Sequence, residues 1–113
     1  MIVFDIETDG LLDTLTKVHC IALKDTETGR LWSYNTEDVD TGVRELMEAV
    51  ETDNSIAGHN IINFDIPALE KVFPWFQIKR SDRHHVVDTL VLSRLIFTNL
   101  AIWDSKLQKS GVL

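Results

Sequence analysis

The 113-residue chain has a single cysteine, Cys20, so no internal disulfide can form, and that sparing use fits a reducing cytosol. Cys20 lies in the apolar-rich stretch Val18 to Leu23 and reads as a core residue. No apolar run approaches the ~20 residues needed to span a bilayer. No basic-then-apolar leader opens the sequence either, because Asp5 and Glu7 interrupt its first apolar stretch, so no membrane partner is expected. Positive charge is scarce: 11 Lys and Arg stand against 18 Asp and Glu, for a net charge of −7. Broad duplex binding works by neutralising phosphates with Lys and Arg. Any nucleic-acid contact must therefore be local and short, with metal ions offsetting the repulsion. Lys79, Arg80 and Arg83 form the only basic cluster, and it reads as a solvated loop. There are five glycines and two prolines, with no repeat, low-complexity segment or linker. A hydrophobic content of 44% is enough for one small domain, one that buries roughly 65% of its unfolded surface.

What is present begins at the amino terminus. Ile2-Val3-Phe4-Asp5-Ile6-Glu7-Thr8 reads as a strand with apolar residues on one face and two acids on the other. Period-two alternation places Asp5 and Glu7 roughly 7 Å apart near the strand end. Like charges that close repel and lose hydration, and a divalent cation is the usual remedy, since hard cations take carboxylate oxygens.

Residues 17–24 read as strand two, 25–29 as a turn and 30–34 as strand three, an antiparallel meander. Val43, Leu46, Met47 and Val50 recur at helical spacing, which predicts an amphipathic helix over 41–51. Residues 55–58 form a short buried strand. Pro67 is compatible only with a first helical turn, so a helix starts near Phe64 and runs to Val72. His85-Val86-Val87 reads as strand five, with Asp88 as the N-cap of a helix over 89–97. The order predicts a mixed sheet with helices on its faces, strand one central, and its carboxylates emerging beside the helix after strand four. No clear period continues over 101–113. Trp75, Phe76 and Ile78 are expected to add to an exposed apolar patch.

The second informative stretch is Gly58-His59-Asn60-Ile61-Ile62-Asn63-Phe64-Asp65, in which a buried strand ends, a polar loop follows and an acid stands at a helix start. Asp65 can be read there as an ordinary helix-start acid or, with Asp5 and Glu7, as the third member of a metal site. Asp5-Ile6-Glu7-Thr8 resembles the first motif of the proofreading 3′–5′ exonucleases of the DEDD superfamily, and His59-Asn60 followed by Phe64-Asp65 resembles their second. The likeness is closer still to the amino-terminal exonuclease domain of podovirus-type family A DNA polymerases. Asp88-Thr89-Leu90-Val91-Leu92-Ser93-Arg94-Leu95-Ile96 and Gln108-Lys109-Ser110-Gly111 carry it through the chain.

The resemblance implies an α/β, ribonuclease-H-like fold, a mixed five-stranded sheet flanked by helices and incomplete at the C-terminus, with 1–113 a single partial exonuclease domain. It implies that Asp5, Glu7 and Asp65 are catalytic residues holding Mg²⁺ or Mn²⁺ in a two-metal site, of which one ion alone is a possible occupancy. It implies too that Thr8, Leu11, Asn60 and Phe64 contact a single-stranded DNA 3′ end, with Leu11 as an apolar wedge. For Leu11 and Leu12, packing inward is the competing reading. Asp88 is expected to be structural, as a helix cap.

The family's Tyr-x-x-x-Asp motif on a later helix is not found in 1–113; Tyr34 to Asp38 match its letters in the wrong order, and Asp104 has no pattern behind it. The expectation is a truncated or split domain, weak or inactive alone. Its partner would be the remainder of a split polymerase, or a second copy in a homo-oligomer through an uncovered sheet face. Its location would be the cytoplasm of a bacterial host cell. A nuclease-fold binding module that has lost catalysis is the alternative. An aspartate phosphotransferase wants an aspartate where Glu7 stands. Adjacent His84 and His85 would point to opposite faces of a strand, so a histidine metal site is not expected.

Overall fold

A computed structural model describes residues 1–96. Strand β1 (Ile2–Thr8) lies at the centre of a five-stranded sheet of order β3-β2-β1-β4-β5. β2 (Val18–Asp25) runs antiparallel to β1, and β3 (Leu31–Tyr34) antiparallel to β2. β4 (Ile56–Gly58) and β5 (Val86–Asp88) continue the sheet in parallel on the other side. The mixed α/β architecture and the central first strand are those predicted.

Alternation along β1 is strict. Ile2, Phe4 and Ile6 are buried, while Asp5 and Glu7 face outward. The apolar face joins Ile21, Leu23 and Ile56 and is packed by helix α1 (Val39–Glu51) through Val43, Leu46 and Val50, and by α2 (Ile66–Val72) through Ile66, Ala68 and Leu69. Burying each such side chain contributes about 1.5–3 kcal/mol. α1 lies close on the sheet because residue 42 is glycine: a Cβ there would meet Ile21 Cγ2 at 2.5 Å and Tyr34 Cδ2 at 2.7 Å. Edge strand β3 is tied down by Glu45 of α1, which accepts from Trp32 Nε1 at 2.8 Å and Tyr34 Oη at 2.5 Å.

Several expectations are corrected. Phe76 is fully buried and Ile78 nearly so; both belong to the core, and of the three only Trp75 is exposed. Cys20 is half-buried and lies opposite Glu7, because its position in β2 shares the face of the β1 acids. α1 starts two residues before Thr41, at Val39. Residues 61–63, read as loop, and Phe64 and Asp65, read as the helix start, form a π-helical turn ahead of α2, which itself starts at Ile66. His84 and His85 lie in a 3₁₀ turn (Arg80–His85), so their rings meet, tilted by 41° with centroids 4.0 Å apart, where a strand would have separated them. β5 accordingly begins one residue later than predicted and includes Asp88. Residues 89–96 are helical as expected. Phe97, Asp104 and Gln108 to Gly111 lie outside the described residues.

Candidate active site

β1 delivers its two acids to the end of the sheet where β4 has already stopped. β4 pairs with β1 only at Ile2 and Val3, so the rest of β1 on that side faces the turn that follows Gly58. A register shift between Glu7 and Thr8 marks the strand end, and bulges of this kind re-aim side chains beside functional sites.

The turn after β4 carries the third acid. Gly58 passes close to β1: a Cβ on it would stand 2.8 Å from the Phe4 carbonyl oxygen and 2.4 Å from Ile61 Cγ2. Asn60 adopts the left-handed conformation (φ 60°, ψ 31°) and opens the π-helical turn Ile61–Asp65. π-turns of this kind occur often at functional sites. Asp65 then occupies the position before α2, but with helical dihedrals (φ −60°, ψ −48°) and no side-chain capping bond. A capping acid has extended dihedrals and bonds the first-turn amides, so Asp65 does not serve as a helix cap.

Its carboxyl group turns inward. Asp65 is 4% exposed and its Oδ2 has no hydrogen-bond partner. Burial, followed by the charge of Asp5, raises its pKa from 3.8 to about 7; a hydrogen bond with the Ile6 backbone works the other way. The structure thus brings Asp5 and Asp65 together from positions sixty residues apart in sequence. Glu7 is exposed. Among the described residues no group of three or more His, Cys, Asp or Glu is gathered closely enough to hold a metal ion. The donor chemistry nevertheless suits one: a buried, unpartnered carboxyl oxygen that feels the charge of a second carboxylate is what a hard divalent cation takes.

Around these acids, Thr8 is half-buried and its hydroxyl donates to the Gly10 carbonyl at 2.7 Å. The loop after β1 is closed by the Asp9 carboxylate, which accepts from the backbone of Thr16 (2.8 Å) and Lys17 (3.0 Å) and from the Thr16 hydroxyl. These bonds hold the Asp9 pKa well below the usual carboxylate range. The loop splits the two leucines: Leu11 is 73% exposed, and Leu12 packs against the core. Asn60 and Phe64 are half-buried, Phe64 against the core. A depression of about 190 Å³ adjoins Asp5, lined also by Val3, Ala22, Lys24 and Leu31.

Asp88 does more than cap the next helix. Besides the Leu90 amide, its carboxylate accepts from Asn60 and Ile62 across the sheet end. Sequence reasoning found only the cap. The one available signal was an acid directly after an apolar strand that neighbours the Gly58 strand.

Comparison with known proteins places the chain in a family. Residues 2–109 match the model of the RNase H superfamily. The whole chain is 40% identical over 116 aligned positions to the DNA-directed DNA polymerase of Escherichia phage T7, and 39% identical to that of Enterobacteria phage T3. The chain spans 16% of the length of each. Among solved structures it is similar to the family B DNA polymerase of the archaeon Pyrobaculum calidifontis, with 25% identity, a TM-score of 0.47, and coverage of 63% of this chain and 10% of that one. The match across 2–109, on a mixed sheet with its acids at the end of the central strand, makes this chain a member of the RNase H superfamily.

Proposed function

We propose that residues 1–113 form a metal-dependent 3′–5′ exonuclease module of a phage-type DNA polymerase, acting on single-stranded DNA ends. The observation that carries this reading is the convergence of Asp5 and Asp65, with a buried oxygen of Asp65 left unpartnered. Similarity along the whole chain to two phage DNA polymerases supports the biological setting, which would be the cytoplasm of the bacterial host.

On this reading Asp5, Glu7 and Asp65 are the residues that would hold Mg²⁺ or Mn²⁺. Such ions would supply an activated water and a stabilised leaving oxygen for phosphodiester hydrolysis. The exposed Leu11 offers an apolar contact to a terminal base, and Thr8, Asn60 and Phe64 flank the path of the strand. The net charge of −7 restricts binding to a short single-stranded segment. Three carboxylates without the tyrosine–aspartate motif make hydrolysis by this polypeptide weak; completion would come from the remainder of a polymerase or a second copy.

A labelled single-stranded oligonucleotide incubated with Mn²⁺ tests the reading. Slow trimming from the 3′ end that Asp5→Ala removes is expected. A rate typical of complete nucleases would refute the weakness. Absence of both trimming and Mn²⁺ uptake would refute the nuclease and favour the alternative, a catalytically dead binding module of nuclease fold that is one part of a split polymerase or a regulator.

A further inference from the structure

Asp88 is buried to 4% exposure and its carboxylate is fully engaged by backbone amides. Oδ1 accepts from Asn60 N and from Leu90 N, each at 2.9 Å, and Oδ2 accepts from Ile62 N at 3.0 Å. These bonds hold its pKa below the ordinary carboxylate value against the opposing effect of burial. A helix cap needs the Leu90 bond alone. The other two reach back 28 and 26 residues, to the turn between β4 and α2. Thr89 adds to the grip: its hydroxyl donates to the Gly58 carbonyl at 3.3 Å and lies 3.1 Å from His59 Nδ1.

The grip falls where the backbone needs it. A non-glycine residue in the left-handed region, as Asn60 is, persists only where the surroundings over-determine it. Its carbonyl accepts from Phe64 N at 3.1 Å, and the Ile61 carbonyl accepts from Ile66 N. The bonds therefore run from Asp88 into the π-turn and on to Phe64 and Ile66, the residues on either side of Asp65.

We propose that Asp88 is a positioning residue of the site: by clamping the amides of Asn60 and Ile62 it sets the π-turn that delivers Asp65 to Asp5 on β1. The metal part of its consequence rests on the function proposed above; the geometric part does not. Asp88→Asn leaves one acceptor oxygen and places an NH₂ group against a backbone N–H, so at least one clamp bond is lost.

Amide hydrogen exchange on the full 113-residue chain is the direct test, because Ile6 reports on Asp65. In Asp88→Asn, exchange is expected to accelerate at least about tenfold at Asn60 and Ile62 and also at Ile6, with Mn²⁺ affinity reduced about 10-fold or more, the range for outer-shell partners of metal ligands. Thr89→Val, which removes only the hydroxyl bonds, should give the same pattern more weakly, and it decides the matter should Asp88→Asn fail to fold. Acceleration confined to Leu90 and the helix after it, with Ile6 and Mn²⁺ affinity unchanged, would reduce Asp88 to a cap and overturn the proposal. A wild-type chain that takes up no Mn²⁺ would sink the metal reading instead, while exchange at Ile6 still decides the role of Asp88.

Discussion

Asp65 stands at the entrance to α2 yet turns its carboxyl group to β1, where Asp5 is its foremost charged neighbour. The proton affinity of this group is higher in the folded chain, with a pKa of about 7 against 3.8 in its ordinary state. Its contribution to stability is therefore complete below about pH 4 and is lost as pH rises through 7, by roughly 2–4 kcal/mol. Urea unfolding at pH 5 and pH 8 should show the loss in the wild-type chain. Asp65→Asn should remove it and be the more stable protein at pH 8. Equal slopes for the two proteins would show that Asp65 is not held as described. The lowered carboxylates, Asp9 and Asp88, act in the opposite sense and at lower pH, so they do not mask this window.

Asp5 supplies the second of the causes that raise Asp65; burial is the first. Asp5→Asn should accordingly move the Asp65 titration down, while leaving it above the ordinary carboxylate range. Carbon-detected NMR titration of the Asp65 carboxyl reads this directly. An unmoved midpoint would mean that the two acids do not converge, and the candidate site would lose its basis.

How much of this was legible in advance differs from residue to residue. β1 was readable in full, since alternation alone separates Ile2, Phe4 and Ile6 from Asp5 and Glu7, and a central position follows from an apolar face that needs cover. The turn 61–65 was not, because a π-turn has no apolar period of its own and depends on amide acceptors supplied by Asp88 from another strand. Phe76 and Ile78 were misjudged for a related reason: in a segment without regular period, burial is decided by what the chain folds against, here the core cluster. Even at Asp65 the sequence placed the residue but not its rotation away from the helix, which follows from helical dihedrals at the capping position.

Gly58 and Gly42 offer a controlled comparison. Each carries backbone where a Cβ would collide, Gly58 with the Phe4 carbonyl and Ile61, Gly42 with Ile21 and Tyr34. Alanine at either should cost about 1–3 kcal/mol by overpacking. Only Gly58→Ala displaces the turn that leads to Asp65, so it alone should also weaken Mn²⁺ binding at temperatures where both variants remain folded. Equal metal affinity in the two variants would show that Gly58 serves packing and nothing more.

Leu11 and Leu12 are adjacent and chemically identical, and the loop pinned by Asp9 sends them to opposite environments. Lys71 of α2 donates to the Leu12 carbonyl at 3.0 Å, which fixes that split relative to the helix following Asp65. Leu12→Ala removes core contacts and should lower stability by about 1–3 kcal/mol, with DNA affinity little changed once the chain is folded. Leu11 has few contacts to lose, so Leu11→Ala should stay within about 0.5 kcal/mol of wild type in unfolding. If Leu11 meets a terminal base, the same substitution should cost about 1 kcal/mol or more in binding to a short single-stranded oligonucleotide. Fluorescence anisotropy with Ca²⁺ in place of Mn²⁺ would measure that loss without hydrolysis. Unchanged affinity in Leu11→Ala would leave the exposed leucine without a role at the strand end and would remove it from the proposed path of the DNA.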